Sequence, residues 1–212
     1  MLMNIEVFKE KLLSLDYYSL RDLMEDYLKE YDFKEIIDKM IVPVLEDIGD
    51  SWANGALSLS QVYMTGKICE KLIDEFMKQV NSKRINIPKM AIVVFNDHHT
   101  LGKKIIYNVV RSIGYDIKDL GNAENASELV DIVEKENIQV LLVSVLMLNS
   151  ALKVKTIRDE LRQRNLKTKL IVGGAPFNFD SELWKRVGAD YMGKNTKDAI
   201  ELVSKVAGEI NE

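Results

Sequence analysis

The feature that most restricts what this chain can fold into is a change of hydrophobic period near residue 80. Before it, apolar side chains recur at spacings of three and four. Ile5, Phe8, Leu12 and Leu15 form one set, and Leu20, Leu23, Met24, Tyr27 and Leu28 a second. A third runs through Ile36, Ile37, Met40, Ile41, Val44, Leu45 and Ile48, and a fourth through Leu59, Val62, Tyr63, Ile68, Leu72 and Phe76. That spacing marks amphipathic helices with one apolar stripe each, and the short polar breaks between them suit an antiparallel bundle of about four. Pro43 falls inside the third pattern and should start or kink a helix there. From residue 90 the pattern becomes continuous: MAIVVF (90–95), VLLVSVLML (140–148) and KLIVGG (169–174), with weaker runs at 115–117 and 190–192. Amphipathic stretches at 101–113, 127–136, 151–164, 180–187 and 196–210 alternate with them. Buried strands alternating with helices predict a parallel sheet covered on both faces.

The expected organisation is therefore α/β. An N-terminal helical bundle (1–80) precedes a linker with lost period and one proline (81–89). A doubly wound domain of flavodoxin/Rossmann-like type, with five strands and five helices, follows (90–212). With 212 residues, either one large domain or two small ones can bury a substantial core. A formal charge of −4 argues against a general nucleic-acid footprint, which needs a basic face. Cys69 is the only cysteine, so an internal disulfide and a cysteine-rich zinc site are both excluded. No apolar run approaches the roughly 20 residues that span a bilayer, and the N-terminus is too charged for a signal peptide. The expectation is a soluble, cytoplasmic chain.

In doubly wound sheets, ligands sit beyond the carboxyl ends of the strands. Three loops should meet on that rim: 96–102, 144–150 and 173–176. The first holds both histidines of the chain, His98 and His99, directly after Asp97. In an extended loop, residues two apart project the same way, so Asp97 and His99 can act together while His98 faces elsewhere. A carboxylate bonded to one imidazole nitrogen fixes the tautomer and leaves the other as a better metal ligand. Gly102, opening the next helix, lets something bulky approach the backbone. One protein ligand cannot build the usual zinc site, but it suits a metal already held in a macrocycle.

Taken singly, each signal also has an ordinary structural explanation. Asp-x-His-x-x-Gly can be a solvated loop, and Ser144 a small core residue bonded to backbone. Ser150 most simply caps a helix beginning at 151, and Gly173-Gly174 can be a tight turn.

Together, Asp97/His99/Gly102, Ser144/Leu146 and Gly173/Gly174 resemble, in order and spacing, the Asp-x-His-x-x-Gly, Ser-x-Leu and Gly-Gly signatures of the cobalamin (B12)-binding family. The stretch LEDIGDSWANGALSLSQVYMTGKI (45–68) is similar to that family's helical cap. The resemblance covers nearly the whole chain and extends to the cobalamin region of methionine synthase. It implies cobalamin or a related corrinoid as cofactor, with His99 as the lower axial ligand to cobalt in place of the cofactor's own base. Asp97 would bond His99, and Ser150 would continue the proton relay. The nucleotide tail would lie between Gly102, Ser144 and Gly173-Gly174, and Leu59, Val62, Tyr63 and Met64 would cover the upper face. The sequence departs from the family's pattern in three places. Leu148 stands where a threonine is frequent, and His98 fills the middle of the Asp-x-His motif. Gln61, Val62 and Tyr63 stand where light-sensing relatives carry a Glu-His pair.

A cap and a cobalamin domain alone resemble the small corrinoid proteins of anaerobic methyl-transfer systems. The implied role is a methyl carrier that turns over only with partners. It accepts a methyl group on cobalt(I) from a substrate:corrinoid methyltransferase and passes it to a second methyltransferase. A reductive activator is a further implied partner; nucleic acid and membrane are not. The linker 81–89 would be the hinge on which the cap swings. A cobalamin-dependent sensor is the alternative of a different class, and a flavodoxin-like domain with another small ligand is a third.

Overall fold

The computed structural model describes residues 3–80 and 83–211. Helix α1 (Ile5–Leu13) starts where the Asn4 side chain accepts the Val7 amide, and it buries Phe8 and Leu12. Asp16 caps α2 (Tyr17–Tyr27) in the same way, and Leu20, Met24 and Tyr27 point inward. The third apolar pattern is one bent rod. A short helix α3 (Phe33–Ile36) runs into a wide π turn (Ile37–Ile41) and then α4 (Val42–Ala53). The turn widens just before Pro43, which cannot donate a helical hydrogen bond, and the Val42 amide reaches back to the Ile37 carbonyl. Helix α5 (Leu59–Gln79) begins with a reciprocal cap: the Gln61 amide donates to the Ser58 hydroxyl, and the Ser58 amide to the Gln61 side chain.

The second half is strand β1 (Ile85–Phe95), α6 (Leu101–Ser112), β2 (Tyr115–Ala123), α7 (Ala126–Lys135) and β3 (Val140–Ser144). Then come α8 (Leu148–Gln163), β4 (Lys169–Gly173), α9 (Ala175–Phe179), α10 (Leu183–Arg186), β5 (Tyr191–Gly193) and α11 (Thr196–Asn211). All strands are parallel, in the order β2-β1-β3-β4-β5, the flavodoxin-like arrangement. Alternate strand residues serve opposite faces. Ala91, Val93, Leu141, Val143, Leu170 and Val172 pack under α7, α8 and α10, whereas Met90, Ile92, Leu142 and Ile171 face α6 and α11.

Several boundaries differ from the sequence expectation. Of the expected linker, 81 and 82 lie outside the described residues, and 85–89 is already strand, pairing with β2 through Ile85 and Tyr115. The run at 140–148 is strand only as far as Ser144, because α8 begins at Leu148 rather than at 151. Ser150 therefore lies inside the first turn of α8 and is not its cap. A sixth helix, α9, follows Gly174 and accounts for the extra element in this half.

The two halves share a core. Ile105 and Val109 of α6, Ile113 at its C-terminal cap and Ile200 of α11 belong to the same buried cluster as Phe8, Met24, Leu45, Leu72 and Phe76. Helix α6 thus carries two apolar stripes, one on the sheet and one on α5. Charges close the edge of this seam. Arg111 bonds Glu70 at 2.9 Å and Asp74 at 3.2 Å, and Arg84, just before β1, also pairs with Asp74.

Continuity of the core has a measurable consequence. The two tryptophans sit one in each half, Trp52 on α4 and Trp184 on α10. Ile105→Ala should cost about 2–5 kcal/mol, the usual range for a fully buried isoleucine. Its urea midpoint should fall equally in Trp52→Phe and Trp184→Phe backgrounds. A shift reported by one tryptophan alone would show the halves to be energetically separate.

Candidate functional site

The site forms where β1 and β3 lie side by side and their following helices leave on opposite faces of the sheet. That divergence opens a crevice at the carboxyl ends. Asn96 turns the chain off β1 with φ of 50°, a conformation asparagine tolerates better than most residues. Three neighbours pin it: its side chain donates to the Glu124 carbonyl and accepts from Lys153, and its carbonyl accepts the Ser150 hydroxyl at 2.5 Å.

Asp97 follows, its side chain only 1% exposed. One carboxylate oxygen accepts the backbone amides of His98 (2.7 Å) and His99 (3.1 Å) and lies 2.5 Å from His99 Nδ1. The other accepts the amides of Leu146 (2.7 Å) and Met147 (2.9 Å) across the crevice. Burial alone would raise this carboxyl's pKa. The bonds from the His99 ring and from the Leu146, Met147 and His99 amides outweigh it and hold the group well below the ordinary carboxylate range. With Nδ1 engaged, Nε2 is the nitrogen His99 has left for a ligand, and the ring is 57% exposed. His98 points away, exposed.

A cavity of about 570 Å³ runs from His99 between the sheet and α6. Ile92, Leu142 and Ile171 from three adjacent strands form its floor. Gly102 and Ser144 are neighbours in its lining; a Cβ on Gly102 would come 3.5 Å from Ser144 Oγ, ordinary contact distance. Gly173 and Gly174 form the far wall. Gly174 has φ of 122°, and a Cβ there would stand 1.8 Å from the Val145 carbonyl oxygen, so no other residue fits. That close approach presses the β4–α9 turn onto the β3–α8 loop and shapes the wall. Trp52 and Leu59 reach the cavity from the helical half.

Most of the expected residues therefore meet: Asp97, His99, Gly102, Ser144, Leu146, Gly173, Gly174 and Leu59. Four do not occupy the expected place. Val62 is buried in the helical core, Tyr63 packs against that core, and Met64 is exposed away from the cavity wall. Ser150 makes no bond to Asp97, whose two oxygens are already taken. Its hydroxyl holds the start of the loop instead. Asn178, Lys194 and Asn195 line the cavity and had no motif to announce them. The signal available for the last two was position, since they follow the last strand on the ligand-bearing rim.

The geometry fits a macrocycle-bound metal. Among the described residues no three His, Cys, Asp or Glu side chains cluster to cage a bare ion. One imidazole, oriented by a buried carboxylate, stands beside a glycine-walled cavity, and a ring-held metal asks only for an axial ligand. Also among the described residues, no helix is long and apolar enough to cross a membrane.

A family model described as "B12 binding domain" matches residues 88–203, and a second of the same description matches residues 5–76. The chain is 28% identical to the trimethylamine corrinoid protein of Methanosarcina barkeri, over 84% of this chain and 82% of that protein. Its fold is similar to that of a cobalamin-binding protein from Desulfitobacterium hafniense, with a TM-score of 0.79, 19% identity and coverage of 96% and 98% of the two chains. A similar fold occurs in the methanol:cobalamin methyltransferase complex of Methanosarcina barkeri, with a TM-score of 0.65, 21% identity and coverage of 95% and 78%.

The carboxylate bridge should be visible in acid. Its stabilisation is present above about pH 4, the unfolded value, and is lost as pH falls through the lower folded value. Asp97→Asn should cost at least about 2 kcal/mol at pH 7, because a neutral amide cannot accept the same bonds. The difference from wild type, measured by urea unfolding, should shrink below pH 4. A gap that does not depend on pH would remove the carboxylate's charge from the account.

Proposed function

The chain belongs to the B12-binding family, and on that footing we propose that it is the corrinoid-binding methyl carrier of a multi-component methyltransferase system. The observation that carries the proposal is the Asp97–His99 pair at the mouth of a cavity that the helical half covers with Trp52 and Leu59. When bound, the corrinoid supplies a cobalt centre that, as cobalt(I), takes a methyl group from one methyltransferase and yields it to a second.

The protein's residues do the rest. His99 would hold the cobalt through Nε2, and Asp97 fixes the ring's orientation through Nδ1. Asp97 is itself immobilised by four backbone amides, so the imidazole stands ready before any ligand arrives. The buried Asp97 carboxylate would hold the Nδ1 side of the ring while Nε2 faces the cobalt. Gly102, Ser144, Gly173 and Gly174 leave the space for the nucleotide arm. Trp52 and Leu59, which line the cavity, would shield the bound corrinoid from water until a partner enzyme arrives. The methyltransferase of the structurally similar methanol system supports this kind of partner; a second methyltransferase and a reductive activator complete the proposed cycle.

Loading the protein with cobalamin should give the absorption spectrum of a cofactor whose own base is displaced by imidazole. His99→Ala should lose that spectrum while retaining bound corrinoid; a mutant spectrum identical to wild type would remove His99 as ligand. After reduction, the loaded wild type should take up a labelled methyl group from methyl iodide. Failure to do so would favour a sensor role.

Access for a partner requires the helices to move off the cavity, and the seam between α5 and α6 is where they must part. Cys69 lies in that seam, fully buried, and burial pushes its thiol up to about 12, slightly offset by a hydrogen bond with Ser112. Maleimide labelling of Cys69 should therefore be slow in the closed protein. Arg111→Met, which removes the bonds to Glu70 and Asp74, should speed it about tenfold, in keeping with about 1.5 kcal/mol for hydrogen bonds to charged groups. Unchanged labelling would mean that the helices move without opening this seam.

A further inference from the structure

We propose that Lys194 is the anion contact of this cavity and takes the phosphodiester of the corrinoid's nucleotide arm. The inference rests on the corrinoid reading above and adds a residue that lies outside the three motifs.

The cavity wall is chemically one-sided. Its floor is aliphatic, its sides are glycines and small neutral groups, and no carboxylate among the described residues lines it. Lys194 is the only permanently charged side chain among the described residues that line it; His99 is the only other titratable one. A wall with one cation and no anion selects a mostly neutral ligand bearing one negative charge. A complete corrinoid has that pattern: amide arms around the ring, and a single phosphodiester joining the ring to its base.

The backbone around Lys194 is fixed, so its side chain is tethered at a defined point. Its amide donates to Asp198 Oδ2 at 2.8 Å, its carbonyl accepts from Asn178, and Asn195 Oδ1 caps the Asp198 amide at 2.9 Å. Those bonds occupy the acidic group next along the chain with backbone. The Lys194 ammonium makes no hydrogen bond or ion pair with another described residue. Lys197, three residues on, is committed elsewhere, to Asp50 of α4. The sixteen-residue helix α11 begins at Thr196, immediately after these cavity-lining residues, and adds the positive end of its dipole at the same wall. Lys194 itself is exposed, so its charge acts from the solvent side of the wall and is screened by salt.

The comparison that isolates this contact is cobalamin against cobinamide, which has the same ring but lacks the phosphate, ribose and base. Apoprotein would be titrated with each and followed by absorbance, at low and at high salt. Lys194→Ala should weaken cobalamin about fivefold at low salt and cobinamide less than about twofold, the loss expected at the upper end for one exposed charge pair. Lys194→Arg should stay within about twofold of wild type, and salt should weaken cobalamin binding in wild type more than in Lys194→Ala. Lys194→Gln, which keeps length and polarity, should behave as the alanine variant. An unchanged cobalamin-to-cobinamide ratio in Lys194→Ala and Lys194→Gln overturns the assignment while leaving the corrinoid reading intact. Wild type that binds neither compound overturns the corrinoid reading itself, and the assignment with it.

Discussion

The buried carboxylate of Asp97 is the constraint on which the rest of the site depends. It joins two loops that leave the sheet in opposite directions, taking amides from His98 and His99 on one side and from Leu146 and Met147 on the other. Without it the crevice between β1 and β3 would have no fixed width, and His99 no fixed tautomer. A charge this deeply buried is tolerated because every bond it makes is to a donor. The loop start is braced independently through Asn96, Ser150 and Lys153, which lets the histidine end be rigid without using the histidine's own free nitrogen.

Around this anchor the molecule removes side chains where a ligand arm would pass. Gly102 leaves room beside Ser144, and Gly174 brings backbone onto backbone against Val145. These are two different uses of the same residue type. The first creates space; the second uses a positive φ to draw two loops together, and the wall is formed by main chain. Apolar strand residues supply the floor, so the cavity is shaped by the sheet's own pleat. Polar side chains are few: His99, Thr100, Ser144, Asn178, Lys194 and Asn195.

Much of this is legible in the sequence itself. The switch from a 3.6-residue period to continuous apolar runs separates helices from a parallel sheet, because each pattern buries a different face. The three motif loops fall on one rim because all five strands run the same way. What misled was local. VLLVSVLML reads as one strand, yet backbone amides after Val145 are drawn to Asp97, a partner fifty residues away that no local pattern reveals. Ser150 then falls one turn into α8, and a plausible cap becomes a brace for Asn96. Apolar residues on the first turns of α5 gave no clue to which faced the cavity. Leu59 does; Val62 and Tyr63 are claimed by the helical core. Lys194 was silent because a lone lysine after a short strand carries meaning only once the cavity wall is seen.

The double-sided packing of α6 bears on how such a protein could arise or be rebuilt. A helix greasy on both flanks is not a boundary at which two modules can be cut and recombined. Detached from its N-terminal helices, the α/β portion would present Ile105, Val109 and Ile113 to water as a ready surface for self-association. The cover over the ligand site is thus less a lid bolted onto a finished cassette than the outer layer of one body. Any lineage that exchanged it would have had to rewrite one face of α6 at the same time.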